Sequence, residues 1–224
     1  MTSSKPPETQ LSPANPQQSQ AGSQQAGQPA SRPWVIVAGF GRCGSSLVMQ
    51  MLQAAGVPCI GGFPDFEVPE VCACPVRMEW LNHYPEYAFK LLDPHRCTLP
   101  KELSACAIWL NRDTEEQAKS QVKFISLMMP GLPAISRRHL KEWEKSLRND
   151  KRAAIGTISR FPYIELSFES LVTVPEEGAE DIARFLKPHW DLNPKLMAAK
   201  VIRRHPACQS GLNIELDAVR QSNA

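Results

Sequence analysis

A chain of 224 residues with 42% hydrophobic and 21% charged side chains suits one folded domain with a tail, and it has enough apolar residues for a real core. A formal net charge of +2 excludes any argument from bulk charge for nucleic-acid or membrane binding, so neither is expected as a partner. Seven cysteines, an odd number with no C-x-x-C pair, argue against a disulfide framework. Cys72-Ala-Cys74 is too tight for usual zinc spacing and has no matching Cys/His pair, so no metal is expected. Most of the cysteines read as small buried hydrophobes. With no signal peptide and no run of about 18 apolar residues, a reducing cytoplasm is the expected location.

Residues 1–32 are almost wholly Gln, Ser, Pro, Ala and Gly. Such a stretch buries too little apolar surface to offset its ordering entropy, so it reads as a disordered tail before a domain over 33–224. Trp34 to Ala38 reads as the first strand. A loop with Gly39, Gly41 and Gly44 follows, and from Ser45 to about Ala55 the apolar residues take helical spacing. Pro58 to Ile60 is a weak strand, while Tyr87 to Leu92, Ala105 to Leu110 and Tyr163 to Phe168 are stronger ones. Runs such as ACAIWL, apolar on both faces, suit a parallel sheet covered on both sides. Helices are expected over Thr114 to about Leu127, Ser136 to about Asn149, and Pro175 to Leu186. Thr114-x-x-Gln117 matches a capping box, and Pro175 with Glu176 and Glu177 suits a first turn. Alternating strands and helices imply a doubly wound α/β fold that binds ligands at the carboxyl ends of its strands.

The strand, glycine loop and helix at 34–52 form the pattern by which a backbone wraps a phosphate. Glycines permit close approach and positive φ, and the N–H groups at the helix start face the anion. Gly39 to Gly44 fits the Walker spacing G-x-x-x-x-G, but Ser45 stands where the Walker lysine belongs, and the fixed charge is Arg42 inside the loop. Nor is it a cysteine phosphatase loop, since Met49 stands where the arginine six residues after Cys43 would be. A second anion site is readable at AIWLNRDTEEQAKSQVKF. Arg112 follows a strand, and Ser120 lies about 9 Å into the next helix, a gap that an arginine spans. Guanidinium matches phosphate by bidentate hydrogen bonding.

The two motifs together resemble the sulfotransferases that use 3′-phosphoadenosine 5′-phosphosulfate (PAPS). In that family a loop similar to Gly39-Phe40-Gly41-Arg42-Cys43-Gly44-Ser45-Ser46-Leu47 binds the 5′-phosphosulfate. An Arg and a Ser eight apart, here Arg112 and Ser120, bind the 3′-phosphate. Tyr163 to Leu171, YIELSFESL, followed by a helix ending in Phe185-Leu186, is a third and looser likeness. The resemblance spans most of Trp34 to Lys187. Cys43 replaces the family's Ser, Ser45-Ser46 replace Thr-Thr, and Arg42 replaces Lys as in a subset of members. It implies a P-loop NTPase-like three-layer α/β sandwich of the sulfotransferase type, with a parallel sheet covered by helices. PAPS would be the co-substrate, and sulfuryl transfer to a hydroxyl or amine acceptor the reaction. Gly41, Arg42, Cys43, Gly44, Ser45, Ser46, Arg112 and Ser120 would hold the donor, with Arg42 also catalytic.

Such a transfer needs cations and N–H donors at the leaving oxygen and a base for the acceptor. The family's acceptor site often draws an acidic residue or His from the segment after the second strand, so Glu67 is the first candidate base and Asp65 the second. His83 and His95 stay open. Lys90, within the run YAFKLL, either points into the cleft toward sulfate or snorkels to water. Asp93 and Asp113 suit turns and helix caps better than Walker-B roles. The Cys43 thiol suits a small space-filling residue better than an activated one. A P-loop kinase or NTPase, and a non-catalytic nucleotide-binding protein, are the alternatives.

Overall fold

The computed structural model describes residues 32–67, 76–78, 81, 86–129, 131 and 135–209. Of the tail expected over 1–32, all but Arg32 lies outside the described residues, as do Cys72, Cys74 and His83; Arg32 N–H donates to Glu86 Oε1 at 3.2 Å. In chain order the elements are β1 (Trp34–Gly39), α1 (Ser45–Ala54), β2 (Val76–Arg77), β3 (Ala88–Leu92), β4 (Cys97–Thr98) and β5 (Ala105–Asn111). There follow α2 (Thr114–Met128), α3 (Arg137–Ile158), β6 (Tyr163–Ser167), α4 (Phe168–Thr173), α5 (Pro175–Leu186) and α6 (Pro194–Ala198). A 3-10 turn over Pro94–Arg96 joins β3 to β4.

Four strands form one parallel sheet in the order β3-β1-β5-β6, and β2 pairs with β4 in a small parallel ribbon. All six residues of β1 are buried, as a central parallel strand with both faces covered requires. Side chains alternate between two cores. Val35, Val37, Ile108 and Leu110 pack with Met51 of α1, Ile182 of α5 and Met197 of α6. Ile36, Ala107 and Trp109 pack on the other face with Ala118 of α2 and Leu147 and Ile158 of α3. The architecture is therefore the expected α/β one: a parallel sheet with helices on both sides.

Register brings the functional segments to one edge. Gly39 pairs with both Leu92 and Leu110, so the glycine loop emerges between the chain leaving β3 and the chain leaving β5. Asp93 N–H donates to Gly39 O at 3.0 Å and ties those exits together.

Three expectations change in detail. Pro58 to Ile60 contributes an isolated bridge, Cys59 with Ala88, rather than a strand. The third helix does not stop near Asn149 but runs to Ile158, because Ala154 and Ile158 continue the buried stripe begun at Leu147. The cap of α2 is Asp113, whose carboxylate accepts from Glu116 N–H at 2.9 Å, and not Thr114 with Gln117. Gln117 is committed elsewhere. No helix among the described residues is long and apolar enough to cross a membrane.

Gly44, at the entrance to α1, has φ 98°. A Cβ there would stand 2.6 Å from Cδ2 of Phe168. Gly44→Ala should therefore suffer left-handed strain and a collision with a buried ring, together at least about 2 kcal/mol. In a domain of this size that lowers Tm by about 4–8 °C. A thermal melt within 1 °C of the parent would contradict this packing.

Candidate functional site

The loop between β1 and α1 turns on two left-handed residues, Arg42 at φ 67° and Gly44 at φ 98°. Cys43 N–H closes the turn on Phe40 O at 3.1 Å. No side chain caps α1, and its first turn carries no acidic residue. Side chains do cap α2, α3, α4 and α6, through Asp113, Ser136, Ser167 and Asn193. The N-terminal N–H groups of α1, which have no intrahelical acceptor, thus keep the partial positive charge of a helix start.

Cys43 turns its side chain into the core beneath the loop, fully buried. A Cβ on Gly39 would meet its sulfur at 2.6 Å, which is why that position tolerates only glycine. Burial pushes the thiol up to about 11, against the lowering effect of hydrogen bonding from Ser45. The sulfur fills space and is not an activated nucleophile.

Above the strand ends lies an open cavity of about 590 Å³. Of the residues sought in the sequence, Gly41, Arg42, Gly44, Ser45, Ser46, Glu67, Arg112 and Ser120 all line it; the side chain of Cys43 does not. Seven Lys and Arg side chains face this cavity with three carboxylates, so its field favours an anion.

Four of these seven gather on two sides of the loop: Arg42, Arg112 and Arg204 on one, Lys90 on the other. On the β5 side, Arg42 Nε donates to Ser120 Oγ at 3.3 Å, and its guanidinium lies 5.0 Å from the centre of the Phe124 ring. Arg112 Nη1 donates to Arg42 O at 2.8 Å, and its Nε is buried without a hydrogen-bond partner. The Arg112 and Arg204 guanidinium groups both lie over the Phe168 ring, at 4.4 and 5.3 Å. Burial above all, and then the charges of Arg204 and Arg42, lower the affinity of Arg112 for its proton; Cys208 and Glu169 oppose that. Three guanidinium groups held this close make a site whose geometry and charge suit an oxyanion.

On the β3 side, Lys90 does not reach for water. Its side chain is 4% exposed, and its ammonium donates to Ser46 Oγ at 3.2 Å, Asp65 O at 2.6 Å and Glu67 Oε1 at 2.5 Å. A buried amine therefore sits at the first turn of α1, paired with a carboxylate that is 45% exposed. Arg42, expected to act on the leaving phosphate, has its side chain beside Ser120 on the β5 side.

Asp113 is spent on its cap. Asp93, at φ 50° where β3 enters the 3-10 turn, lines the cavity, and burial raises its carboxyl while His95 and Arg96 work against that. Sequence reasoning missed Arg204, Phe168, Gln117 and Gln121. Gln117, Ser120, Gln121 and Phe124 at i, i+3, i+4 and i+7 do mark one helix face, but the polar face of an amphipathic helix ordinarily looks to solvent.

No family model matches the sequence, and no curated protein matches it. Among solved structures, the mouse sulfotransferase SULT7A1 complexed with PAP superposes with a TM-score of 0.44 at 12% identity, over 74% of this chain and 62% of that one. Retinol dehydratase in complex with androsterone and inactive cofactor PAP gives 0.42 at 13% identity, over 77% of this chain and 64% of that one. The chain thus spans less than two thirds of the length of either protein. Similarity of that degree leaves the site to be argued from its own residues.

Proposed function

We propose that this chain is a sulfotransferase, moving a sulfuryl group from PAPS to a hydroxyl or amine acceptor. One observation carries the reading: two separate cationic groups flank a single glycine loop before the uncapped helix α1, as a donor with anions on both the 3′ and the 5′ position of its ribose demands. The β5-side group, Arg42, Arg112 and Ser120 with Arg204, suits a terminal phosphate remote from the chemistry. The β3-side group, the α1 start with Ser45, Ser46 and Lys90, suits the phosphosulfate.

In this reading the acceptor atom forms a bond to sulfur as the bond from sulfur to the bridging phosphate oxygen breaks. Negative charge grows on that leaving oxygen. Lys90 and the α1 N–H groups are placed to stabilise it, in a site where burial strengthens their field. Glu67 takes the acceptor proton. Its ion pair with Lys90 supplies an order of events: an incoming anion competes for the ammonium and releases the carboxylate beside the reacting centre.

The test is a thermal shift with the purified protein and adenosine 3′,5′-bisphosphate without magnesium. A ligand at a hundred times its dissociation constant adds about 2.7 kcal/mol to the folded state, so Tm should rise by several degrees, and ATP should raise it far less. A magnesium-dependent shift with ATP and none with the bisphosphate would replace this reading with a P-loop kinase or NTPase.

A further inference from the structure

Two of the loop carbonyls are held from one side by glutamines that no anion-binding motif includes. Gln117 Nε2 donates to Phe40 O at 3.1 Å and to Gly41 O at 3.0 Å. Gln121 Nε2 donates to the same Gly41 O at 2.7 Å. Arg112 holds the next carbonyl, that of Arg42. Three successive carbonyls are therefore drawn toward β5 and α2. Gln117 and Ser120 are only 4% and 6% exposed, so the polar stripe of α2 faces the loop and not the solvent.

Gln121 has a second contact that Gln117 lacks. Trp143 Nε1, from α3, donates to Gln121 Oε1 at 2.5 Å. An indole N–H can only donate, so it selects the amide oxygen as its acceptor and turns the other end, the NH₂, to Gly41 O. Without the indole the amide is free to rotate by half a turn and set its oxygen against that carbonyl. The stake is the peptide between Gly41 and Arg42. In a trans peptide the N–H points opposite to the C=O, so fixing one aims the other. Arg42 also holds a left-handed φ of 67°, a conformation that a non-glycine residue keeps only when its surroundings impose it.

We propose that Gln121, braced by Trp143, is a positioning residue for the anion loop, and that this brace sets donor affinity through the plane of the Gly41–Arg42 peptide. The inference rests on the loop being an anion cradle, but not on which anion it holds. A loop fixed before the ligand arrives spares binding the cost of ordering it. Helix α3, packed with α2 on one face of the sheet, thereby acts on the loop through one side chain of α2.

The experiment is a double-mutant cycle on the full chain, read by titration with adenosine 3′,5′-bisphosphate and by ¹H–¹⁵N spectra without ligand. Gln121→Met keeps volume and loses both bonds; affinity should fall about tenfold, equivalent to about 1.4 kcal/mol. Trp143→Phe should cost about threefold, and the double variant should be no worse than Gln121→Met alone, since both act through one contact. In the ligand-free spectra Gln121→Met should move the Trp143 indole resonance together with the Arg42 amide. A role confined to packing α2 on α3 would lower Tm and leave the Arg42 amide in place.

Affinity within twofold of the parent for Gln121→Met, losses that multiply in the double variant, or an unmoved Arg42 amide would each overturn the proposal. If the parent binds inorganic pyrophosphate but not the bisphosphate, the sulfotransferase reading fails, and the same cycle with pyrophosphate still tests the brace. The spectra need no ligand, so they decide it even where neither anion binds.

Discussion

Lys90→Met should lower turnover by about two to three powers of ten, the usual cost of losing one donor aimed at developing charge. Affinity for PAPS, titrated without acceptor, should fall by less than about tenfold, because the ammonium serves an oxygen that becomes fully charged only as the sulfur leaves. Methionine fills the buried space. Asp65 O loses one of its partners, while Glu67, 45% exposed, stays solvated. The stability cost should then stay within about 2 kcal/mol. Arg112→Ala should behave in the opposite way. Its guanidinium is stacked on Phe168 and bonded to the loop carbonyl of Arg42, on the side away from Lys90. Losing that charged partner should weaken bisphosphate binding by about 1.5–3 kcal/mol with little change in turnover at saturation. Arg42→Ala should follow Arg112→Ala more than Lys90→Met, since its Nε is committed to Ser120. Calorimetry and initial rates with a panel of phenols and amines separate the two classes. A collapse of affinity with unchanged turnover in Lys90→Met would put the ammonium at a remote phosphate and exchange the two ends of the site.

Much of the fold was legible because its signals are local. A wholly apolar strand, glycines at fixed spacing and a helical apolar stripe specify β1, the loop and α1 with no knowledge of partners. Arg112 and Ser120 were legible for the same reason: one strand, one helix, eight residues. What stayed hidden depends on which surface an element turns inward. Gln117 reads as half of a capping box, yet the cap is Asp113, and the glutamine is buried because α2 lies against the glycine loop. Lys90 is conspicuous in the run YAFKLL, but only the fold brings Ser46, Asp65 and Glu67 to its ammonium across 44, 25 and 23 residues of chain. Arg204 comes still later in the chain and reaches the site because its N–H is fixed to Val172 O at 3.0 Å. Periodicity carries no trace of such long-range pairings.

Glu67→Gln should preserve the fold and lower turnover by about two to four powers of ten, the contribution of a positioned base. The amide has the shape of the carboxylate but cannot take a proton from the acceptor. Donor affinity should be equal to or tighter than that of the parent, which sets this variant apart from one that simply damages the site. The reason is the ion pair. In Glu67→Gln the Lys90 ammonium keeps Ser46 Oγ and Asp65 O but loses its charged partner, so the donor no longer competes with a carboxylate for it. The deficit should also depend on the acceptor. An aliphatic alcohol needs its proton removed as the bond to sulfur forms, whereas an acidic phenol is already largely ionised near neutral pH and should lose far less. Bisphosphate titration and initial rates across that series give both quantities. A deficit equal for alcohols and phenols would remove Glu67 from proton transfer and leave it as a placeholder for the donor on Lys90. Weaker donor binding in Glu67→Gln would mean that the pair supports the cavity and does not open when the anion arrives.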